Sequence, residues 1–205
     1  MTVDGGHPDW LTAPGYDTES GDEVAIKLEH CKIEPSLLDE EIEVYRHLQS
    51  HSGFPAVLCE GQEETFRVMV LELLGPNLED LFQYCGQRFS LKTTLMLFDQ
   101  LLVRFEALHS INLLHRDVKP ENFLLGVDDQ GNTVYMTDFG LAIRQHDAPP
   151  PRPVHRQRPG DGHPALQSRL GLIGTCRYAS INAHLGVCEW DPSSHVTLQV
   201  LTSRI

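Results

Sequence analysis

The 205-residue sequence has no long hydrophobic run, and no window approaches the roughly 20 apolar residues that a membrane-spanning helix needs. It also lacks an initial basic stretch followed by an apolar one, the pattern of a secretory leader. Its five cysteines are odd in number and dispersed, without a C-x-x-C pair, which argues against a disulfide framework or a zinc site. These absences predict a soluble protein of the cytoplasm, the nucleus or both, with no membrane partner.

Basic side chains are scarce in the first part of the chain. Residues 1–80 carry 18 acidic and four basic side chains, whereas residues 81–205 carry 11 acidic and 12 basic ones. Because nucleic acids and anionic membranes repel a negative surface, the acidic front part argues against both as partners. The second part has a local basic run from Arg144 to Arg177.

The order of predicted elements indicates an α+β protein of two lobes. Residues 1–20 show no periodicity and are interpreted as loop or disorder. The helix over 90–110 is apolar nearly all round, which predicts burial at the centre of a helical lobe. The lobes would meet at a hinge near Gly75 and Pro76. The remaining predictions are a strand over 22–30, a helix over 36–50, a hairpin over 55–75, a short helix capped by Asn77, and strands in "FLLG" and "VYMTDFG".

The segment "HRDVKPEN", residues 115–122, carries the pattern of a phosphoryl-transfer site. Asp117 can accept the proton of an acceptor hydroxyl, and Lys119 on the same side can neutralise a transferring phosphate. Asn122 can reach a metal with a neutral oxygen. The match to the protein-kinase catalytic loop is complete through the asparagine, so a surface loop with this pattern by chance is the weaker interpretation.

Two further motifs support this chemistry. Asp138 in "DFG" follows Asn122 by sixteen residues, with a strand hairpin between them, and is a candidate metal ligand. Lys27 in "VAIK" can bind nucleotide phosphates from a strand. A helical carboxylate would pair with this lysine. Spacing alone leaves three candidates, which are Glu40, Glu41 and Glu43.

Together these segments resemble the casein kinase 1 family of serine/threonine protein kinases. The most specific of them is "GTCRYASINAHLG", because the family carries Ser-Ile-Asn where most kinases carry Ala-Pro-Glu. The resemblance runs from about residue 15 to residue 187. It implies a monomeric, ATP- and Mg²⁺-dependent enzyme that phosphorylates acidic or pre-phosphorylated proteins. The segments that carry the resemblance are "GDEVAIKLEH", "MVLELLGPNLEDLF", "RFSLKTTLMLFDQLL", "LHRDVKPENFLLG", "DFGLA" and "GTCRYASINAHLG".

The resemblance also implies a role for each matching position. Asp117 resembles the catalytic base, with Lys119 beside it, and Asn122 and Asp138 resemble the metal ligands. Arg177 falls where the family binds a substrate or regulatory phosphate. The positions that resemble the nucleotide site are Lys27, its partner Glu41, the base-sandwiching Ala25 and Leu124, the gatekeeper Leu71, and the hinge backbones of Glu72 and Leu74.

The sequence departs from the family at both ends. No G-x-G-x-x-G pattern precedes Lys27, so we expect the first strand and the phosphate-covering loop to be absent. After "HLGV" the family's Arg- and Asp-rich helix does not follow. We therefore expect a truncated, incomplete kinase fold. Its predicted divisions are an unrelated or disordered segment 1–14, a partial N-lobe 15–75, a partial C-lobe 76–187 with a long loop 145–170, and a non-family tail 188–205.

Two other functions stay open at this stage. A catalytically impaired fragment or pseudokinase acting as a binding module would explain the missing parts. A small-molecule phosphotransferase would share the chemistry, but "GTCRYASIN" looks like a platform for peptide substrates and argues against it.

Overall fold

The computed structural model describes residues 10–144 and 175–178. The predicted loop 145–170 and the whole of the predicted tail 188–205 lie outside these residues. No helix among the described residues is long and apolar enough to cross a membrane. The elements are strands β1 Trp10–Tyr16 and β2 Glu23–His30, helix α1 Leu37–Leu48, strands β3 Val57–Glu63 and β4 Phe66–Glu72, helices α2 Leu78–Tyr84 and α3 Leu91–Ser110, and short strands β5 Leu113–Leu114, β6 Phe123–Leu125, β7 Val134–Met136 and β8 Ile143–Arg144.

The N-terminal lobe is a four-stranded antiparallel sheet in the order β1-β2-β4-β3, with α1 packed against it. Strand β2 is central because β1 and β4 pair with its two edges. Its buried residues are Val24, Lys27 and Glu29. Two of these three buried side chains are charged, so this strand positions polar groups inside the lobe as well as apolar ones.

Strand β1 corrects the prediction that residues 1–20 are loop or disorder and that the strand over 22–30 is the first of the sheet. Residues 10–16 pair with the whole of β2, from Trp10 opposite Glu29 to Tyr16 opposite Glu23. The segment contains Pro14 and Gly15, which are poor strand residues in isolation. An edge strand tolerates proline because one row of its backbone N–H groups needs no partner. Tertiary pairing with β2 therefore overrides local preference.

Helix α1 starts where the sequence predicts. The Ser36 hydroxyl oxygen accepts a hydrogen bond from the Asp39 N–H, and the same hydroxyl donates to Glu29 in β2 at 2.7 Å. The cap therefore also fastens the helix to the sheet. The face that the helix buries consists of Leu38, Glu41, Ile42, Val44, Tyr45 and Leu48.

The helical part begins at α2, capped by Asn77 as predicted, and continues into α3, capped by Ser90. The hairpin of β6 and β7 is confirmed, with Phe123 opposite Met136 and Leu125 opposite Val134. The buried residues around it form one core, which includes Leu101, Leu108, Phe123, Val134, Met136 and Phe139.

The prediction that α3 is buried all round is wrong for the described residues. Its buried residues are Leu101, Arg104, Ala107 and Leu108, which lie on the side facing β5 and β7. Because the sequence of α3 is apolar on nearly all sides, it does not indicate which side of the helix packs against other elements. The apolar side chains that stay exposed on α3 are Leu91, Leu95, Met96, Leu102 and Val103.

Gly53 gives the first testable prediction. It lies at φ +84°, and a Cβ there would lie 1.7 Å from the Nε of Arg104, a buried side chain whose Nε donates to the Val134 carbonyl. We expect Gly53→Ala to lower the free energy of unfolding by about 2–4 kcal/mol, through backbone strain and a clash with this guanidinium. Urea denaturation measures the effect.

Gly86→Ala is the matched control for Gly53→Ala. Gly86 also has a positive φ, of +69°, but a Cβ there meets no atom within 4 Å. Gly86→Ala should lower the free energy of unfolding only through backbone strain, by about 1–2 kcal/mol. Equal losses from the two variants would contradict the role assigned to Arg104.

Candidate active site

A cavity of about 620 Å³ lies between the sheet and the helical part. Its volume is in the range of small-molecule binding sites, roughly 300–1,000 Å³. One end is apolar, and the other carries Lys27, Glu41 and Asp138. The further residues that line it are Leu11, Thr12, Ala13, Pro14, Ala25, Tyr45, Pro55, Leu71, Glu72, Leu73, Leu74, Leu124 and Thr137.

The apolar end brings together the residues expected to sandwich a nucleotide base. Ala25 in β2 is directly opposite Leu71 in β4, and Leu124 comes from β6 in the other lobe. Strand β6 reaches this place because Leu124 forms a bridge with Asn77, just after the hinge. Three segments distant in sequence thus supply one apolar slot.

The hinge itself is held by backbone hydrogen bonds. The Gly75 N–H donates to the Leu125 carbonyl at 2.8 Å, and the Leu125 N–H donates to the Pro76 carbonyl at 3.0 Å. The Glu72 carboxylate accepts from the Ala56 N–H at 2.8 Å. The predicted hinge residues Glu72 and Leu74 therefore line the cavity on a fixed segment of backbone.

The charged end is built around Lys27. Its Nζ lies 2.5 Å from Glu41 and 3.1 Å from Asp138. Burial lowers the pKa of Lys27, but the two carboxylates more than offset this, so its pKa is raised and it stays charged. Burial raises the pKa of Glu41, against the pull of Lys27. Of the three candidate carboxylates, Glu41 is the one that pairs with Lys27, while Glu40 and Glu43 are exposed.

Helix α1 also holds the segment that carries Asp138. The Asp138 N–H donates to the Tyr45 hydroxyl at 3.1 Å, and the Phe139 N–H donates to Glu41 at 3.2 Å. The Phe139 ring packs edge-on against Tyr45 and, in a tilted arrangement, against His115. These contacts fix Asp138 at φ +65°, a strained conformation for a residue with a side chain.

Asp117 lies at the centre of a second cluster. Its Oδ2 accepts from Lys119 Nζ at 2.7 Å and from Asn122 Nδ2 at 3.3 Å. Its Oδ1 accepts from the N–H and the hydroxyl of Thr175, at 2.8 and 2.7 Å. Burial raises the pKa of Asp117, but Lys119 and Thr175 outweigh it, so the net pKa is lowered. Asp117 is therefore a carboxylate at neutral pH.

Asn122 connects the Asp117 cluster to the cavity. The side-chain amide nitrogen of Asn122 also donates to the backbone carbonyl of Asp117 at 2.9 Å. The backbone carbonyl of Asn122 accepts from the Thr137 N–H at 3.0 Å. Thr137 and Asp138 both line the cavity. Because the amide nitrogen is committed to Asp117, the amide oxygen is the atom that can ligate a metal.

The residues present fit a nucleoside triphosphate with a divalent metal. The slot is apolar, and its far end offers Lys27 for phosphate and the oxygens of Asp138 for a metal. The amide oxygen of Asn122, which bonds to the neighbouring Thr137 through its backbone carbonyl, is the second candidate metal ligand. Among residues 10–144 and 175–178 no group of three or more His, Cys, Asp or Glu side chains could hold a metal by itself. A hard cation that takes one or two protein ligands and completes its shell with substrate phosphates and water suits this site.

His115 is fully buried, and its hydrogen bonds fit a neutral ring. One ring nitrogen lies 3.0 Å from the Thr137 carbonyl, to which it donates, and the other accepts from the Asp117 N–H at 3.3 Å. Burial lowers the pKa of His115 below its ordinary value of about 6.5. The folded state therefore binds a proton here less readily than the unfolded state.

This shift predicts a pH-dependent stability. The contribution of the neutral His115 to the free energy of unfolding is fully present above about pH 6.5. It is lost as the pH falls towards the folded-state pKa, by up to about 1.4 kcal/mol per pH unit. Urea denaturation at pH 7.5 and 5.5 gives the free energy of unfolding at each pH. This free energy should fall less between pH 7.5 and pH 5.5 for His115→Gln than for the unsubstituted chain. The same pH dependence in both proteins would contradict the buried neutral histidine.

Arg177 and Thr175 lie in the last described segment. Arg177 is exposed, with its guanidinium 5.4 Å from the ring centroid of Tyr178. Thr175 contacts Asp117 directly, and sequence reasoning missed it. The signal was present in "GTCRYASIN", but the two residues are 58 positions apart and no local pattern links them. Tyr45 was also missed as a site residue, although its place one turn after Glu41 puts both on one helix face.

A family model described as "Protein kinase domain" matches residues 13–157, which is more than half of the chain. The match starts inside β1 and covers the sheet, both helices of the second part and the Asp117 and Asp138 segments. Its start also agrees with a sheet that begins before residue 15. The expected α+β architecture of a sheet lobe and a helical part, incomplete among the described residues, is confirmed.

Proposed function

Since the chain belongs to the protein kinase family, we propose that it is an ATP-dependent serine/threonine kinase of the casein kinase 1 type. Its substrates would be acidic or already phosphorylated proteins. Kinase activity with ATP and a divalent metal follows from the family; the subfamily, the acceptor residue and Mg²⁺ as the metal are the proposal.

The observation that carries this function is the connected set of charged and polar groups that runs from the cavity to Asp117. Lys27, fixed by Glu41, lies at the phosphate end of the cavity. Asp138 lies 3.1 Å from Lys27, and Asn122 connects Thr137, the neighbour of Asp138, to the ionised Asp117. Phosphoryl transfer depends mostly on positioning and on charge neutralisation, and this set supplies both.

Each residue then has a distinct task. Lys27 would bind nucleotide phosphates, and Ala25, Leu71 and Leu124 would enclose the base against the Glu72–Leu74 backbone. Asp117 would accept the proton of the acceptor hydroxyl, and Lys119 would offset the charge of the moving phosphoryl group. Asp138 and Asn122 would hold Mg²⁺, which supplies charge neutralisation at the phosphates when bound.

The substrate preference rests on the Ser-Ile-Asn element and on Arg177. The exposed guanidinium of Arg177 belongs to the same short segment as Thr175, which contacts the proposed base. A planar guanidinium is suited to phosphate or carboxylate groups of a bound peptide. For the whole protein we propose a monomer of the cytoplasm, the nucleus or both, without nucleic-acid or membrane partners.

A peptide panel tests the proposal. The purified chain is incubated with Mg-ATP and four matched peptides: a phosphoserine-primed serine peptide, an acidic serine peptide, a basic serine peptide and an acidic tyrosine peptide. We expect phosphorylation of the first two, at least ten-fold above the others. Preference for the basic or tyrosine peptide would contradict the casein kinase 1 assignment.

The alternative is a binding module without transfer activity. Within residues 10–144 and 175–178, the exposed apolar side chains of α3 are the observation that favours it, because an exposed apolar face suits a partner. Under this alternative the chain would bind ATP, as measured by calorimetry, but would modify none of the four peptides above the level of Asp117→Asn.

A further inference from the structure

Strand β1 contributes two side chains to the wall of the nucleotide cavity. In the antiparallel pairing of β1 with β2, Thr12 lies directly opposite Lys27, and Pro14 lies directly opposite Ala25. Residues directly opposite each other in such a pair carry their side chains on the same face of the sheet. All four residues line the cavity. The face of the sheet that encloses the nucleotide therefore extends onto β1, and Thr12 belongs to it.

The opposed pairs form an apolar row and a polar row across the sheet. Leu71 of β4 is the partner of Ala25 on its other edge, so Pro14, Ala25 and Leu71 make one apolar row at the base end of the cavity. The polar row, Thr12 with Lys27, lies two residues further along both strands, a distance of roughly 6–7 Å. The sugar of a nucleotide separates its base from its phosphates. A base beside the apolar row therefore places its phosphates near the polar row.

The hydroxyl of Thr12 is open to a ligand at this place. Thr12 is exposed, and a threonine hydroxyl can donate one hydrogen bond and accept others. Phosphate oxygens accept hydrogen bonds, and bonds to a charged acceptor are stronger than bonds between neutral groups. We propose, on the basis of the proposed function, that Thr12 is a further phosphate-binding residue, whose hydroxyl donates to a phosphate oxygen of ATP beside Lys27.

The charge balance around Lys27 favours a second phosphate donor next to it. The ammonium group of Lys27 lies 2.5 Å from Glu41 and 3.1 Å from Asp138, so two carboxylates already offset its single charge. A hydroxyl adds a donor for the phosphates and carries no charge of its own. It therefore attracts phosphate without drawing either carboxylate away from Lys27.

The segment before Lys27 also favours a side-chain donor. In protein kinases a G-x-G-x-x-G loop covers the nucleotide phosphates. No such pattern precedes Lys27 in this chain, and "WLTAPGY" forms β1. At the position that faces Lys27 this strand carries a threonine. The hydroxyl of Thr12 is thus the group that β1 offers to the phosphates.

Calorimetry with two ligands tests the proposal. The whole purified chain is titrated with Mg-ATP and, separately, with adenosine, and the ratio of the two dissociation constants measures what the phosphates contribute to binding. We expect Thr12→Val to lower this preference for ATP about ten-fold, because one hydrogen bond to a charged group is lost. Valine has nearly the shape of threonine and the same preference for strands, so β1 should stay paired with β2.

Two further variants serve as controls. Thr12→Ser keeps the hydroxyl and should hold the preference for ATP within about two-fold of that of the unsubstituted chain. Thr18→Val removes the hydroxyl of an exposed threonine in the turn after β1, which does not line the cavity. Its preference for ATP should equal that of the unsubstituted chain.

The outcomes separate this inference from the proposed function. An unchanged preference in Thr12→Val, or an equal loss in Thr12→Val and Thr12→Ser, would overturn the phosphate contact, and phosphorylation of the peptide panel would then leave the proposed function standing. The expected loss in Thr12→Val from a chain that phosphorylates no peptide would support the inference and contradict the kinase activity. A chain that binds neither Mg-ATP nor adenosine would overturn both.

Discussion

Replacing Lys27 by methionine should lower the free energy of unfolding by about 3–5 kcal/mol, the range for breaking a buried ion pair from one side. Lys27 and Glu41 are 8% and 1% exposed. Without the ammonium group, the Glu41 carboxylate stays buried beside Asp138 with no cation at 2.5 Å. Urea denaturation at pH 7.5 measures the loss.

A double substitution shows whether the buried charge causes this loss. Lys27→Met with Glu41→Leu removes both charges of the pair and should recover most of the stability. Lys32→Met, on an exposed lysine close in sequence, should stay within about 0.5 kcal/mol of the unsubstituted chain. A double variant as unstable as Lys27→Met alone would contradict an electrostatic cause.

Asp117→Asn should lower kcat on the primed serine peptide by about 10²–10⁴-fold, the usual contribution of a general base. Asparagine has nearly the same shape but cannot accept the proton of the hydroxyl. The affinity for Mg-ATP should stay within about two-fold, since Asp117 does not line the nucleotide cavity. Steady-state kinetics give kcat, and calorimetry gives the nucleotide affinity.

Asp129→Asn is the matched control for Asp117→Asn. Asp129 is an exposed carboxylate in the turn before β7. Its substitution by asparagine removes the same charge without touching the site. Its kcat should equal that of the unsubstituted chain. A similar loss of kcat in both variants would indicate an effect of overall charge. Full kcat in Asp117→Asn would show that Asp117 is not the general base.

Much of the fold is readable from local signals. Asn77 caps its helix as predicted, and Ser36 and Ser90, the first residues of two predicted helices, cap theirs, because a side-chain oxygen just before an apolar periodic segment satisfies free backbone N–H groups. Strand β2 and the β6/β7 hairpin also follow from alternation and turn residues. The resemblance selected Glu41 from three adjacent carboxylates, and the structure pairs this one with Lys27.

The features that sequence reasoning missed depend on distant partners. Strand β1 forms because β2 offers it a free edge, although Pro14 and Gly15 disfavour a strand locally. Helix α3 looks apolar on all sides, but its buried residues are confined to Leu101, Arg104, Ala107 and Leu108. Thr175 contacts Asp117 across 58 positions of sequence. Local composition carries no information about any of these pairings.

The most direct test of the account is a single-turnover measurement of phosphoryl transfer. The purified chain, in excess over ATP labelled at the γ-phosphate, is mixed with Mg²⁺ and the phosphoserine-primed peptide and then quenched over time. Even a slow kinase completes one turnover under these conditions. We predict first-order transfer of label to serine or threonine hydroxyls with the unsubstituted chain, and a rate constant about 10²–10⁴-fold lower with Asp117→Asn. The same low level of transfer with both proteins would contradict the claim that Lys27, Asp117, Asn122 and Asp138 form a working kinase site.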